Sequence, residues 1–469
     1  MFSGFLSGEM RVDKHTKVAY NIKIMGYYGL ISNPDIQVKS MKVLLISHNP
    51  ISSQNNMGKT FLSLFSQFQK EELCQLYIYP TLPNLDRCAA YYRITDKEVL
   101  ASFLRGKRPG GELDKSLIGS EQGMYENPQD QSFYKNRKNK SALRRLLRDA
   151  MWSMSGWYGP ELEDWLERQK PECIFVAPGP GKFLYNFALE IGKKRNIPIV
   201  TYLCDEYYFV RTPRQLLDRL RLRSLQRKIR RLMDASSHLV VISGQLQRAY
   251  AKTFGVPTDI LMTGTSYEFA PDVRETAPPE HISYFGNIRC NRYISLAQIG
   301  RTLDRINGER GTDYRLKIYT AEKDPEILNT FSGIESVEIC GFLTGEAFDK
   351  TFQSSQLLLH VEAFDEASMD FVKHSISTKI ADSLASGIPL LAYGPESVAS
   401  MEHLLDNGCA LTATAEDRLE EMLLSAFTDA DARQQAARRA LEVARQYHDS
   451  EATGRKLYRI LTQVAGREN

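Results

Sequence analysis

Short apolar runs and longer amphipathic stretches alternate along this chain from residue 42 onward. KVLLIS (42–47) precedes KTFLSLFSQFQK (59–70), and QLYIYP (75–80) follows. The rhythm returns with ECIFVAP (172–178), KFLYNFALEIGKKRN (182–196), IPIVTYLC (197–204), a long basic helical stretch and HLVVIS (238–243). Strands separated by helices predict right-handed βαβ units and a parallel sheet covered on both faces. YEFAPDVRETAPPEH (267–281) breaks the rhythm with prolines and charges, as an interdomain linker would. Alternation then restarts with ISYFGN (282–287), RLKIYT (315–320), SVEICG (336–341), QLLLHVE (356–362) and IPLLAYG (388–394). The pattern predicts an α/β protein with two domains in tandem, 41–266 and 282–445, followed by a C-terminal helix over 446–469. Residues 1–40 show little periodicity and are expected to form an N-terminal extension outside the fold.

Length agrees with two domains, since 469 residues exceed one ordinary core at roughly 150 residues per domain. A hydrophobic content of 42% with 25% charged residues is that of a globular protein. Sixty Lys and Arg against 57 Asp and Glu leave a net charge of only +3, which does not point to nucleic acid. The cations are nevertheless clustered, in KNRKNKSALRRLLR (135–148) and RTPRQLLDRLRLRSLQRKIRR (211–231). Segment 211–231 is either a solvated face or a peripheral contact with anionic lipid or an anionic acceptor. Seven scattered cysteines without C-x-x-C spacing argue for reduced thiols in a cytoplasmic protein and against a zinc site. No apolar run approaches the roughly 20 residues that cross a bilayer.

Two stretches carry candidate chemistry. SQNNMGKT (53–60) ends like a P-loop, but that motif needs a glycine at the position of Ser53, and the apparent strand stops well before it. AFDEASMDFVKHSISTKIADSLASGIPLLAYGPES (363–397) is more informative. Ser377 or Thr378 can cap a helix that ends at Gly387, with Pro389 opening the next strand. A helix N-terminus at the carboxyl edge of a parallel sheet offers free N–H groups and partial positive charge to a diphosphate. Lys379 adds a full charge, and Asp382 lies three residues further, where a carboxylate could bind ribose hydroxyls. The bland alternative is a surface ion pair between these two.

STKIADSLASGIPLLAYGP resembles the donor-site helix of GT-B glycosyltransferases, particularly family 4. FGNIRCNR is similar to the glycine-bearing strand and basic residues that open that family's second domain, and VEICGFLTGEAF to its base-binding strand and turn. RLMDASSHLVVISGQLQRAYAKTFG resembles the end of its first domain. The resemblance implies two Rossmann-like domains facing across a cleft. It also implies a donor site drawn from Gly58, Arg289, Arg292, Gly341, Phe342, Leu343, Ser375, Ser377, Thr378, Lys379 and Asp382. Asp382 stands where the family's ribose-binding acid stands. Asn55-Asn56-Met57-Gly58 becomes the glycine-containing loop through which backbone approaches donor or acceptor, with Lys59 and Thr60 beginning the first helix. Many retaining members carry an acid where this chain has His374; Asp365, Glu366 or Asp370 are substitutes in the same loop. Asp205 and Glu206, following IPIVTYLC, are expected at the cleft, and Asp205 is the candidate for activating or holding the acceptor hydroxyl. Asp205 and His374 are therefore the catalytic candidates. Asp429-Ala430-Asp431 imitates a metal-binding D-x-D but lies between alanine-rich helices, so it is expected to cap a helix, and no metal or cofactor is expected.

The implied activity is transfer of a hexose from a nucleotide-diphosphate sugar such as a UDP- or GDP-sugar. The acceptor would be a glycan, lipid-linked or other hydroxyl, in bacterial polysaccharide or cell-surface glycan synthesis. The expected place is the cytoplasm, or the inner face of its membrane. A nucleotide-sugar 2-epimerase and a catalytically inactive partner subunit are the alternatives.

Overall fold

The computed structural model describes residues 41–53, 55–106, 108–119, 142–210, 213, 215–265, 267–274 and 278–467. The expected extension over 1–40 lies outside the described residues, as do parts of both basic segments.

Val43–Ser47 (β1), Leu73–Tyr77 (β2), Ala90–Arg93 (β3), Gly111–Glu112 (β4), Cys173–Ala177 (β5), Ile199–Leu203 (β6), His238–Val241 (β7) and Thr258–Ile260 (β8) form the first sheet. Its order is β4-β3-β2-β1-β5-β6-β7-β8, parallel except where β4 pairs with β3. Every residue of β1, β2, β5 and β6 is buried, which is why these segments read as unbroken apolar runs. The helices around them are Asn56–Leu64 (α1), Asp96–Arg105 (α2), Ala142–Met154 (α3), Pro160–Gln169 (α4), Lys182–Arg195 (α5), Leu216–Ala235 (α6) and Gly244–Phe254 (α7).

His281–Phe285 (β9), Arg315–Tyr319 (β10), Val337–Ile339 (β11), Leu357–Val361 (β12), Leu390–Tyr393 (β13) and Leu411–Ala413 (β14) form a second, wholly parallel sheet in the order β11-β10-β9-β12-β13-β14. Arg292–Arg310 (α8), Gly345–Gln353 (α9), Glu366–Val372 (α10), Thr378–Ala385 (α11), Ala399–Asp406 (α12), Leu419–Thr428 (α13) and Ala430–Tyr447 (α14) accompany it. Asp429 caps α14 through its carboxylate on the Ala432 amide at 2.9 Å, the role expected of it.

Strand order decides where a ligand can sit. Val43 of β1 pairs with Leu73 on one side and Cys173 on the other, and Ile282 of β9 pairs with Leu316 and Leu357. Both strands lie where the order reverses, and a crevice opens beyond the carboxyl end of such a strand. The loops after β1, β9 and β12 therefore border the site.

Two crossings join the domains. After β8 the chain passes through Thr263–Thr265 and then runs along the second domain, where the Ala270 amide donates to Ala385 O and the Arg274 amide to Gly387 O. After α14 it returns through His448 into the final helix, Ser450–Val464 (α15), whose Leu457, Ile460 and Leu461 enter the first domain's core. The crossings hold each other: the Thr265 amide donates to His448 O at 2.8 Å, and Ser450 Oγ donates to Thr265 O at 3.3 Å.

Candidate functional site

Three connected cavities lie at the facing edges of the sheets. The innermost, about 80 Å³, is bordered by Arg292, His360, Glu362, Ser377, Lys379 and Ser383. Ser377 also borders a cavity of about 250 Å³ that reaches Thr60, Asp205, Thr263 and His448. Asp205 and Ser375 connect that space to a third, of about 560 Å³, lined by Tyr207, Phe209, Phe371 and His374. The result is a trough running from a cationic end on the second domain to an acidic and aromatic end between the domains.

Helix packing creates the cationic end. Ile380, Ala381, Leu384 and Ala385 bury one face of α11, leaving Lys379 to face the cavity. Gly286, just beyond β9, has φ +152°, and a Cβ there would stand 2.9 Å from Lys379 Nζ. Burial depresses the Lys379 pKa, with Arg292 adding repulsion while Glu362 and Asp382 oppose it. The side chain remains open to the cleft, so water tempers that depression.

Arg292, at the first turn of α8, is held by Glu362 in a bidentate pair, Nε–Oε2 2.9 Å and Nη2–Oε1 3.0 Å. A fixed guanidinium beside a less encumbered ammonium suits a diphosphate, which Arg binds by shape and Lys by charge. His360 stands behind them, its Nε2 3.6 Å from Glu362 Oε1. Burial first, opposed by Glu362 and aided by the two cations, lowers its pKa to about 4, so it adds no charge at neutral pH. Neither Glu362 nor His360 stands out in the sequence, where both simply end an apolar run.

At the other end, Glu206 folds the turn after β6. Its Oε1 accepts from the amides of Tyr208 and Phe209 and, at 3.3 Å, from Tyr250 Oη. Asp205 is left to face the trough, accepting from Tyr207 Oη at 3.1 Å. Burial raises the pKa of both carboxyls, partly offset at Asp205 by hydrogen bonds from Tyr207 and Ser375. His374 lines the same cavity with its Nδ1 buried and without a partner, while its carbonyl accepts from Ser243 Oγ at 3.2 Å across the domains. Burial and then Lys373 lower its pKa, so the ring is neutral near pH 7.

The structure separates other candidates from this trough. Arg289 is exposed, engaged with Glu322 at Nε–Oε2 2.6 Å and Nη2–Oε1 2.9 Å, and borders none of the three cavities. Gly58 lies in the first turn of α1 and offers no backbone to the cleft. Its amide is capped by Asn55 Oδ1 at 2.8 Å, and an ideal Cβ would stand 2.3 Å from Ser52 O. The glycine is required by loop-to-helix packing, and Asn56, Met57 and Thr60 present the cleft surface instead. Lys59 is exposed on the helix. Asp382 accepts from Thr265 Oγ1 at 2.9 Å, which ties α11 to the domain crossing, and its charge is felt at Lys379 although it does not border that cavity. Gly341 (φ +77°), Phe342 and Leu343 form the turn after β11 and line none of the three cavities. Ser375, Ser377 and Thr378 do border the trough.

No protein-family model matches the chain, and no curated protein matches it in sequence. Solved structures do match. Anabaena HepE in complex with UDP superposes with a TM-score of 0.57 at 11% identity, over 90% of this chain and 100% of that one. Sucrose-phosphate synthase from Thermosynechococcus elongatus gives 0.55 at 10% identity, over 91% and 100%. α,α-Trehalose-6-phosphate synthase from Burkholderia multivorans gives 0.54 at 13% identity, over 91% and 97%. At such identities the common property is the fold: the two domains form a GT-B fold.

Proposed function

We propose that the chain is a glycosyltransferase of the family 4 type that moves a hexose from a nucleotide-diphosphate sugar to an acceptor hydroxyl. The observation that carries this reading is the pairing of Arg292 and Lys379 at the N-terminal end of α11, open through one trough to Asp205 and His374. Arg292, Lys379 and the amides of α11 would stabilise charge developing on the departing diphosphate. Asp205 would hold or deprotonate the acceptor hydroxyl, and neutral His374 would bind the sugar or accept a proton. Positive charge for the leaving group is built into the side chains, so neither metal nor cofactor is assigned a step.

UDP is the preferred donor nucleotide, because HepE, with the same fold, is complexed with UDP and with UDP-glucose. We place the reaction in polysaccharide or cell-surface glycan synthesis on the cytoplasmic side of a membrane. All seven cysteines are free, in keeping with a reducing compartment. A panel of UDP- and GDP-sugars should contain one that raises the melting temperature, and nucleotide release should accelerate with the right acceptor. Acceptor-independent conversion of the sugar to its 2-epimer would identify an epimerase instead. Absence of stabilisation by every nucleotide sugar would overturn the donor site.

A further inference from the structure

The outward face of α6 has a composition that the sugar-transfer site does not use. Leu222, Leu225, Ile229, Leu232 and Met233 bury the inward face of this helix. On the opposite side, Leu216, Leu217 and Leu220 are 66%, 45% and 50% exposed. Arg223, Arg227 and Arg231 continue that exposed side at intervals of four residues.

Other cations of the helix are engaged: Arg221 with Asp149 and Pro180 O, Lys228 with Asn186, and Arg230 with Tyr208. The three outward arginines make no ion pair or side-chain hydrogen bond among the described residues. Like charges at this spacing repel and weaken a helix. Neighbouring α3 is joined to the start of α6 by an Arg145–Asp218 pair at 3.0 Å, and it exposes Leu147 and Met154 to 55% and 72%. Exposed leucines beside unpaired arginines are costly in water on both counts, and one environment relieves both: an anionic bilayer surface, where leucines enter the interface and arginines meet headgroups. A phosphate backbone or an acidic protein would satisfy the arginines and leave the leucines unexplained.

We propose that the α6 face, with α3 beside it, docks on an anionic bilayer, and that the acceptor is lipid-linked and enters the trough from that surface. The acceptor half of the inference rests on the sugar-transfer reading above; the docking half does not. Phe209 and Val210, which directly precede the α6 region, are 41% and 37% exposed at the rim of the 560 Å³ cavity, and Phe371 of the second domain is 76% exposed at the same cavity. These apolar side chains give an amphiphilic acceptor a path from the interface, with its hydroxyl end directed to Asp205.

The test is flotation of the full chain with vesicles of phosphatidylcholine alone or mixed with phosphatidylglycerol. Binding is expected only to the anionic vesicles. Arg223→Glu/Arg227→Glu should weaken it at least about ten-fold, and Leu216→Ser/Leu220→Ser should weaken it comparably. Stabilisation by UDP is measured on the same variants: if it is retained, the fold and donor site are intact, and if it is absent in every protein while vesicle binding persists, the donor reading fails and the docking stands. No binding to anionic vesicles, or binding unaffected by the leucine changes, would overturn the docking. So would a dimer, seen by sedimentation, that the leucine variant dissociates. With docking established, a soluble saccharide accepting sugar as fast as the same saccharide on a lipid carrier would overturn the assigned acceptor class.

Discussion

Gly286 and Lys379 occupy one another's space: an ideal Cβ on the glycine would stand 2.9 Å from the lysine Nζ and 3.2 Å from its Cε. The ammonium therefore reaches the cavity over a bare backbone. Gly286→Ala should push Lys379 aside and strain a backbone at φ +152°. Loss of one charge-assisted contact corresponds to UDP binding weaker by about ten-fold or more. Calorimetric titration of UDP checks this, and Lys379→Ala should produce a similar loss. Unchanged affinity in both variants would remove Lys379 from the donor site.

Gly58 tests packing against phosphate binding. Because its missing side chain accommodates the backbone of Ser52, Gly58→Ala should lower stability by about 1–3 kcal/mol through overpacking. Lys59→Ala, at an exposed helix position, should alter neither stability nor nucleotide binding measurably. Chemical denaturation and UDP and ATP titration of both variants decide it. Tight ATP binding that vanished in Lys59→Ala would restore the P-loop reading.

These residues also show what the sequence could carry. VLLIS, CIFVA and IVTYL lie in strands buried on both faces, so an unbroken apolar run suffices to recognise them. Strands β4, β8 and β14 span only 2, 3 and 3 residues, too few to establish a period, and exist because longer neighbours supply the ladder. The α11 region is legible because serine and threonine at its start, a glycine at φ +71° and a proline bound it within a few residues, although the Ser377 side chain makes no capping hydrogen bond. Glu362 is different: its link to Arg292 spans 70 positions and leaves no local trace. Asp382 is placed differently from Lys379 for a geometric reason: a step of three residues falls about 60° short of a full turn, so Asp382 meets Thr265 while Ser383 shares the cavity with Lys379.

The domain crossing contains a buried histidine pair. His448 Nδ1 lies 2.9 Å from Thr263 O and must donate to it, which leaves Nε2 to accept from His403 Nε2 at 3.3 Å. Both rings are thus neutral in the folded protein. Burial lowers the pKa of His448 to about 4, and burial with repulsion from His448 lowers that of His403 to about 3. Below the ordinary value near 6.5 the unfolded chain binds protons that the folded one refuses, so stability is full above pH 6.5 and is lost as pH falls toward 4. The slope is up to about 1.4 kcal/mol per pH unit for each ring. Melting temperatures between pH 7 and 4.5 should show this fall, and His403→Gln should flatten it. An equal slope in the variant would assign the acid sensitivity to other groups.

Asp205 and His374 approach the same cavity from different domains, and their protonation tendencies differ in a way that kinetics can read. Burial raises the Asp205 pKa above its ordinary 3.8, and burial lowers that of His374 below 6.5. If ionised Asp205 receives or positions the acceptor hydroxyl, kcat should rise with pH along a limb displaced upward from 3.8. It should show no further break above 6.5, because the His374 ring loses its proton below that pH. Asp205→Asn keeps the size and the Tyr207 contact but removes the basic oxygen, so kcat should fall about 100- to 10,000-fold with donor affinity and melting temperature nearly unchanged. His374→Gln should reduce kcat less and leave the acid limb in place. A structural role for Asp205 would instead lower the melting temperature, and a limb that disappeared only in the His374 variant would transfer the base to the second domain.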